Sequence, residues 1–271
     1  MGITHQGPVA ERGVLYVATG DPYFLRDAEA SIERLRALEP DEPVAVLSDL
    51  AAAADAGRRL GVWVGMVRPP RCSQYPSRFI KTRMARYSPF RTTLYLDCDI
   101  VPMRRWAAVF EHVRDDSIGA VADAHAVPFD PADASADTPE QRVTRRSVRP
   151  GQVQANAGVL LWRRGPVATA AFDRWFRQWT RFGQRDQSAF MRAQVPWHAL
   201  PGVFNDQVQD DEASAAARGS VFWHPWSRKD GAQERALRRP WRKVHWWHGP
   251  ARRAWSLAPW AIGPVRWVAP G

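Results

Sequence analysis

Two aspartates one residue apart, Asp97 and Asp99, close the stretch TLYLDCDIVP that runs from Thr93 to Pro102. On an extended backbone, side chains two apart share a face, with Cα atoms about 7 Å apart. Two carboxylates held this way repel unless a cation lies between them or one swings away. A hard divalent ion, Mg2+ or Mn2+, accepts carboxylate oxygens and keeps positions for water and phosphate oxygens. The pair therefore reads as a metal–diphosphate site at a strand end. The competing reading is a pair of solvated carboxylates at a turn, since Pro102 follows shortly. The β-prone Leu94–Tyr95–Leu96 run ahead of the pair favours the first. Cys98 faces the other way and reads as a small packing residue.

The elements that would position this pair alternate through the first third of the chain. Val14–Thr19 reads as a strand, and Leu25, Ala28, Ile32 and Leu35 recur behind it at helical spacing. Val44–Leu47 reads as a second strand, Leu50–Leu60 as an Ala-rich helix, and Val62–Val67 as a third strand. A helix over Ser77–Tyr87 then precedes the Thr93–Asp97 strand. This alternation predicts the α/β class: a mainly parallel, twisted sheet with helices on both faces. Ligands of such sheets bind beyond the carboxyl ends of the strands, where Asp97 and Asp99 fall. The second half is less regular. Ile118–Ala122 and Gly158–Trp162 read as strands, Val167–Phe182 as an amphipathic helix, and Lys243–Trp247 as a late strand. Pro128–Gln152, rich in Pro, Asp, Ser and Arg, reads as a long polar loop, a mobile lid or an acceptor-contacting segment. No repeat or linker divides the chain, so residues 1–271 read as one domain.

The chain has 271 residues, enough to bury a core. Its 45% hydrophobic and 24% charged residues are ordinary for a globular protein. The N-terminal stretch lacks the apolar core of a signal peptide, and no apolar run approaches the length of a bilayer span. Two cysteines, Cys72 and Cys98, offer no disulfide framework. A cytoplasmic protein is expected. The net charge of +10 suits anionic partners: phosphorylated small molecules, anionic lipid or nucleic acid. Basic residues gather with Trp from about residue 235, beginning RALRRPWRKVHWWHGPARR. That segment reads in two ways. It docks on an anionic membrane at the inner face, or its Trp close the core while its Arg face a diphosphate. No helix-turn-helix, finger or RNP pattern accompanies the charge, so nucleic acid is not expected as a partner.

Six stretches, in order, carry a resemblance. LYVATGDPYFLRDAEASIERLR, RFIKTRMARYSPFRTTLYLDCDIVP, NAGVLLWRR, RDQSAF, LPGVFN and VHWWHGP together resemble the GT-A-fold glycosyltransferases of the glycogenin and bacterial galactosyltransferase group, glycosyltransferase family eight. The resemblance implies a single GT-A domain, a nucleoside diphosphate sugar as donor, and Mn2+ or Mg2+. It also implies a glycan or lipid-linked acceptor, a role in envelope or surface glycan synthesis, and retention at the anomeric carbon. By the same resemblance Ala18, Thr19 and Tyr23 contact the nucleobase, and Arg78 and Lys81 lie near ribose or phosphate. Asp97 and Asp99 hold the metal, and Asp123, Asn156, Asp186 and Gln187 hold the donor sugar. A late His is the third metal ligand. Trp246 stands where the family's HxxG has its His, so the resemblance points to His245, with His248 as the alternative. The family's Lys-Pro-Trp is absent, and Arg252 and Arg253 replace it in charge.

Plainer roles stand beside these. Asp186 reads equally as a helix N-cap, Asn156 as a side chain that satisfies backbone groups, Arg78 and Lys81 as helix-surface charges, and Tyr23 as packing. An inverting reaction would need a carboxylate base, for which Asp206, Asp210 and Asp211 are the candidates. DCDIV also fits the DxDx[TV] signature of haloacid-dehalogenase-type phosphatases, with Asp97 as nucleophile and Asp99 as acid–base. That signature ends the first strand of its fold, whereas three strand–helix units precede it here.

Overall fold

Side chains alternate between two buried faces along β1 (Ala10–Ala18), which sends Val14, Tyr16 and Ala18 to one core and Leu15 and Val17 to the other. The structure, a computed structural model, describes residues 10–69, 75–124, 138–149, 151–225 and 265–270. Strands β2 (Val44–Ser48), β3 (Trp63–Met66) and β4 (Phe90–Leu96) run parallel to β1. The sheet continues through β6 (Ile118–Ala122), β7 (Ala155–Arg163), β8 (Trp197–Ala199) and β10 (Arg266–Val268), in the order β10-β3-β2-β1-β4-β7-β6-β8. β7 is antiparallel to both β4 and β6, and β10 is antiparallel to β3. The class is α/β with a mixed, mainly parallel sheet.

Helices cover both faces. α1 (Pro22–Leu38) buries Leu25, Ala28, Ile32 and Leu35 on one face, where α2 (Ala53–Leu60) joins it through Ala53 and Ala56. α3 (Pro76–Lys81), α5 (Pro166–Thr180) and α6 (Asp186–Arg192) pack on the other through Phe79, Ile80, Phe172, Trp175, Trp179 and Phe190. α1 begins where its sequence says it should. The Asp21 side chain accepts from Tyr23 N at 2.9 Å, and Pro22 takes the first helical position. Gly20 makes the preceding turn at φ 88°, a conformation glycine adopts without penalty. Gly20 N donates to Asp49 Oδ1 at 2.8 Å, which ties that turn to the end of β2.

Two expectations change. β4 stops at Leu96, and Asp97–Ile100 is a tight turn closed by Ile100 N donating to Asp97 O at 3.1 Å. The aspartates therefore lie on a turn just past the strand and not on its last residues. Within the expected 128–152 loop, α4 (Pro139–Ser147) opens on a Thr138–Gln141 capping box. It buries through polar pairs where apolar residues are lacking: Arg192 donates to Glu140 Oε1 at 3.0 Å and to Thr144 Oγ1 at 2.6 Å. Trp267, on β10, is buried against β3 and closes the core. Residues 235–264 of the basic, Trp-rich segment, including the strand expected over Lys243–Trp247, lie outside the described residues. Among the described residues no helix is long and apolar enough to cross a membrane.

Candidate active site

A two-stranded ladder completes the site around the aspartate turn. β5 (Val101–Pro102) follows Asp99 after one residue, Ile100, and pairs antiparallel with β9 (Phe222–Trp223), Val101 against Trp223. One more step along that register sets His224 beside Ile100, next to Asp99. His224 Nε2 lies 3.4 Å from Asp99 Oδ1, and ligand atoms of Asp97, Asp99 and His224 all fall within 4.8 Å of one another. The turn itself is fastened from behind. Ser31 Oγ donates to Ile100 O at 2.7 Å and is 2.8 Å from the Tyr16 hydroxyl. Cys98 packs inward with Sγ 3.4 Å from Val17 O, as its place between the aspartates suggested.

Gly158 is where backbone and imidazole meet. Its carbonyl accepts from Asp97 N at 2.8 Å. A Cβ there would stand 2.5 Å from His224 Cε1 and 2.9 Å from His224 Nδ1. Only a residue without a side chain lets the ring lie against β7 at this point.

Lys81 is the buried cation of the site. Its Nζ donates to Asp97 Oδ1 at 2.8 Å and pairs with Asp186 Oδ2 at 2.9 Å, joining α3, the turn and α6. Burial disfavours its charge, but Asp186 and Asp97 more than offset that and hold the ammonium above its ordinary pKa. Asp186 is likewise buried, yet Lys81 and Arg78 keep its carboxyl below the usual range. Arg78 Nε is 3.5 Å from Asp186. The Tyr95 hydroxyl also donates to Asp97. At the His224 end, burial opposes the imidazolium, but Asp99 raises its pKa above the ordinary 6.5.

The remaining sites expected from sequence fall around this core. Ala18 and Thr19 end β1, with Thr19 buried. Tyr23 sits in the first turn of α1 beside Phe24. Asp123, just past β6, accepts from Gln187 Nε2, which brings the first turn of α6 to the strand ends. Asp186 spends its carboxylate on Lys81 and Arg78, and the N-cap position belongs to Arg185. Asn156 does satisfy a backbone group, since Gly158 N donates to its Oδ1 at 2.8 Å. Asp206 and Asp210 are held by Arg218, and Asp211 caps α7 (Glu212–Ala217) through Ser214 N. His245 and His248 lie outside the described residues.

Sequence reasoning passed over His224, and with it Asn205, Gln207 and Tyr95. A signal was there: Val221–Phe222–Trp223 is a short apolar run ending in a ligand-type residue and a proline, the same form as the run that ends in Asp97.

Neither a protein-family model nor a curated protein matches the chain. Solved structures do. The galactosyltransferase LgtC, solved with donor and acceptor sugar analogs, is 15% identical over 78% of this chain and 86% of that one, with a TM-score of 0.52. The apo glycosyltransferase GlyE of Streptococcus pneumoniae TIGR4 is 15% identical over 80% of this chain and 55% of its own, TM-score 0.56. The bifunctional glycosyltransferase WbbM is 13% identical over 85% of this chain and 47% of its own, TM-score 0.58. This chain thus spans about half the length of the last two. At these identities the likeness shows the fold, and the fold is that of the GT-A glycosyltransferases.

Proposed function

We propose that this chain is a metal-dependent glycosyltransferase that moves a sugar from a nucleoside diphosphate sugar to an acceptor hydroxyl. The observation that carries the reading is the convergence of Asp97, Asp99 and His224, with ligand atoms within 4.8 Å, at the carboxyl ends of the parallel strands of this fold. The likeness to LgtC, solved with donor and acceptor sugar analogs, supports the classes of both substrates.

Two carboxylates and an imidazole suit a divalent ion with oxygen and nitrogen preference, and Asp99 is 40% exposed at the mouth of the site. Asp97, Asp99 and His224 would hold Mn2+ or Mg2+, which when bound supplies a Lewis acid against charge growing on a leaving diphosphate. Lys81 keeps two carboxylates from repelling one another and is a fixed cation that needs no reorganisation. Arg78, more exposed than Lys81, is the cation placed to meet phosphate from solvent. Ala18, Thr19 and Tyr23 line the nucleobase end, and Asp123, Asp186 and Gln187 the sugar end. Asp206, Asp210 and Asp211 are committed to Arg218 and to helix capping, which favours retention over inversion by one of those bases. The acceptor in this reading is a glycan or lipid-linked sugar of an envelope or surface glycan. The enzyme is cytoplasmic, and its basic, Trp-rich segment from about 235 touches an anionic membrane peripherally. Charge and tryptophan content support that last part.

Two measurements test the reading. A nucleoside diphosphate should raise the melting temperature more with Mn2+ than without, the stabilisation reaching about 2.7 kcal/mol in free energy at a hundred times its Kd. Asp99→Ala should abolish sugar transfer while the fold survives, since the side chain is half-exposed on a turn. Full activity in excess chelator, or in Asp99→Ala, sinks the metal-dependent reaction.

A further inference from the structure

Behind His224 runs a chain of buried side-chain amides. His224 Nδ1 lies 3.0 Å from Asn205 Oδ1. Asn205 Nδ2 donates to Asn156 Oδ1 at 3.0 Å, and Asn156 Nδ2 donates to Gln207 Oε1 at 3.0 Å. Gln207 Nε2 ends the chain on Ala122 O at 2.9 Å. His224, Asn205, Asn156 and Gln207 are all buried.

Backbone groups set the direction of this chain. An N–H only donates and a carbonyl only accepts. Ala124 N reaches Gln207 Oε1 at 3.2 Å, and Ala122 O takes Gln207 Nε2, so the Gln207 amide has one orientation. Gly158 N reaches Asn156 Oδ1, so that amide is fixed too. Asn156 Oδ1 then takes the amino end of Asn205, which leaves the Asn205 oxygen facing the imidazole. An oxygen there requires a proton on His224 Nδ1. The lone pair of the neutral ring is thereby placed on Nε2, 3.4 Å from the carboxylate of Asp99. A lone pair facing a carboxylate is repulsive unless a cation stands between them.

We propose that Asn205, backed by Asn156 and Gln207, is a positioning residue that fixes the Nδ1–H tautomer of His224 and so presents Nε2 to a divalent cation. The inference rests on the metal-dependent reading above and deepens it. It gives Asn156 a second task, holding the relay in place as well as the backbone of β7. Outer partners of a ligating histidine set its tautomer and ring orientation in this way, and losing one lowers metal affinity by about 10- to 100-fold.

The test separates the relay from the reaction. Histidine ring 15N spectra of the metal-free full chain, above the pKa of His224, should show a protonated Nδ1 and a bare Nε2. The opposite tautomer overturns the relay whether or not the protein transfers sugar. Mn2+ titration followed by electron paramagnetic resonance, with no substrate present, should show affinity falling about 10- to 100-fold in Asn205→Ala and less in Gln207→Ala. Asn205→Asp keeps an oxygen on Nδ1 but sets an acceptor against Asn156 Oδ1, so it should keep the tautomer and lose less affinity than Asn205→Ala. Unchanged Mn2+ binding in Asn205→Ala overturns the positioning role. Wild-type protein that binds no Mn2+ refutes the metal-dependent reading and, with it, the presentation of Nε2 to a cation; the spectra still decide the tautomer.

Discussion

The Lys81 ammonium lies 2.9 Å from Asp186 Oδ2, a link between α3 and α6 that the sequence places 105 positions apart and the fold buries beside the aspartate turn. The same nitrogen holds Asp97. Without it, two carboxylates face each other in a low-dielectric setting. Lys81→Met should therefore lower stability by about 3–5 kcal/mol in chemical denaturation, because an uncompensated buried charge is left behind. The double variant Lys81→Met with Asp186→Leu should recover part of that loss. A single variant as stable as the parent would mean that the triad is solvated.

The parallel half of this fold was legible because its physics is local. Strands β1 to β4 are apolar runs, and α1 announces itself by its spacing. The Asp97–Asp99 pair stood out for the same reason, two like charges after an apolar strand. What escaped was set by tertiary contact. His224 reaches the site through a two-residue ladder between β5 and β9, too short to show a period. α4 escaped because it buries polar side chains, so its composition imitates a loop, though the Thr138–Gln141 capping box was readable. The resemblance supplied residues from several elements, and the structure gathers those it describes at one end of the sheet.

Glu140 and Arg192 form a fully buried ion pair, with side chains 2% and 0% exposed. It clamps α4 onto α6, the helix whose first turn carries Asp186 and Gln187. Glu140→Ala strands the guanidinium and should cost about 3–5 kcal/mol, read by urea unfolding. Thr138→Ala, which removes only the cap, should cost about 1 kcal/mol. If the two variants are equally mild, α4 does not brace α6.

Gly158→Ala tests the contact between β7 and the imidazole. The added methyl would stand 2.5 Å from His224 Cε1, so the ring must shift. Overpacking of this kind costs about 1–3 kcal/mol. The more telling readout is Mn2+ affinity, which should fall about tenfold or more as Nε2 leaves its place. A variant that binds Mn2+ like the parent would show that the ring has room to spare.

Removing the metal should reverse the pH dependence of the site. In the metal-free protein, Asp99 raises the pKa of His224 above 6.5 although burial opposes it. A raised folded pKa means that the protonated pair contributes fully to stability below the unfolded value and that this contribution is lost as pH rises through the folded value. A divalent ion needs the same Nε2 unprotonated, so it gains where the proton leaves. Mn2+ affinity should therefore climb as pH rises through the folded pKa of His224, with about one proton released per ion bound, while the metal-free protein loses stability over the same window. Calorimetric titration in buffers of different ionisation enthalpy counts that proton. His224→Gln should flatten both profiles, and an affinity that does not change with pH in the parent protein would remove His224 from the ligand set.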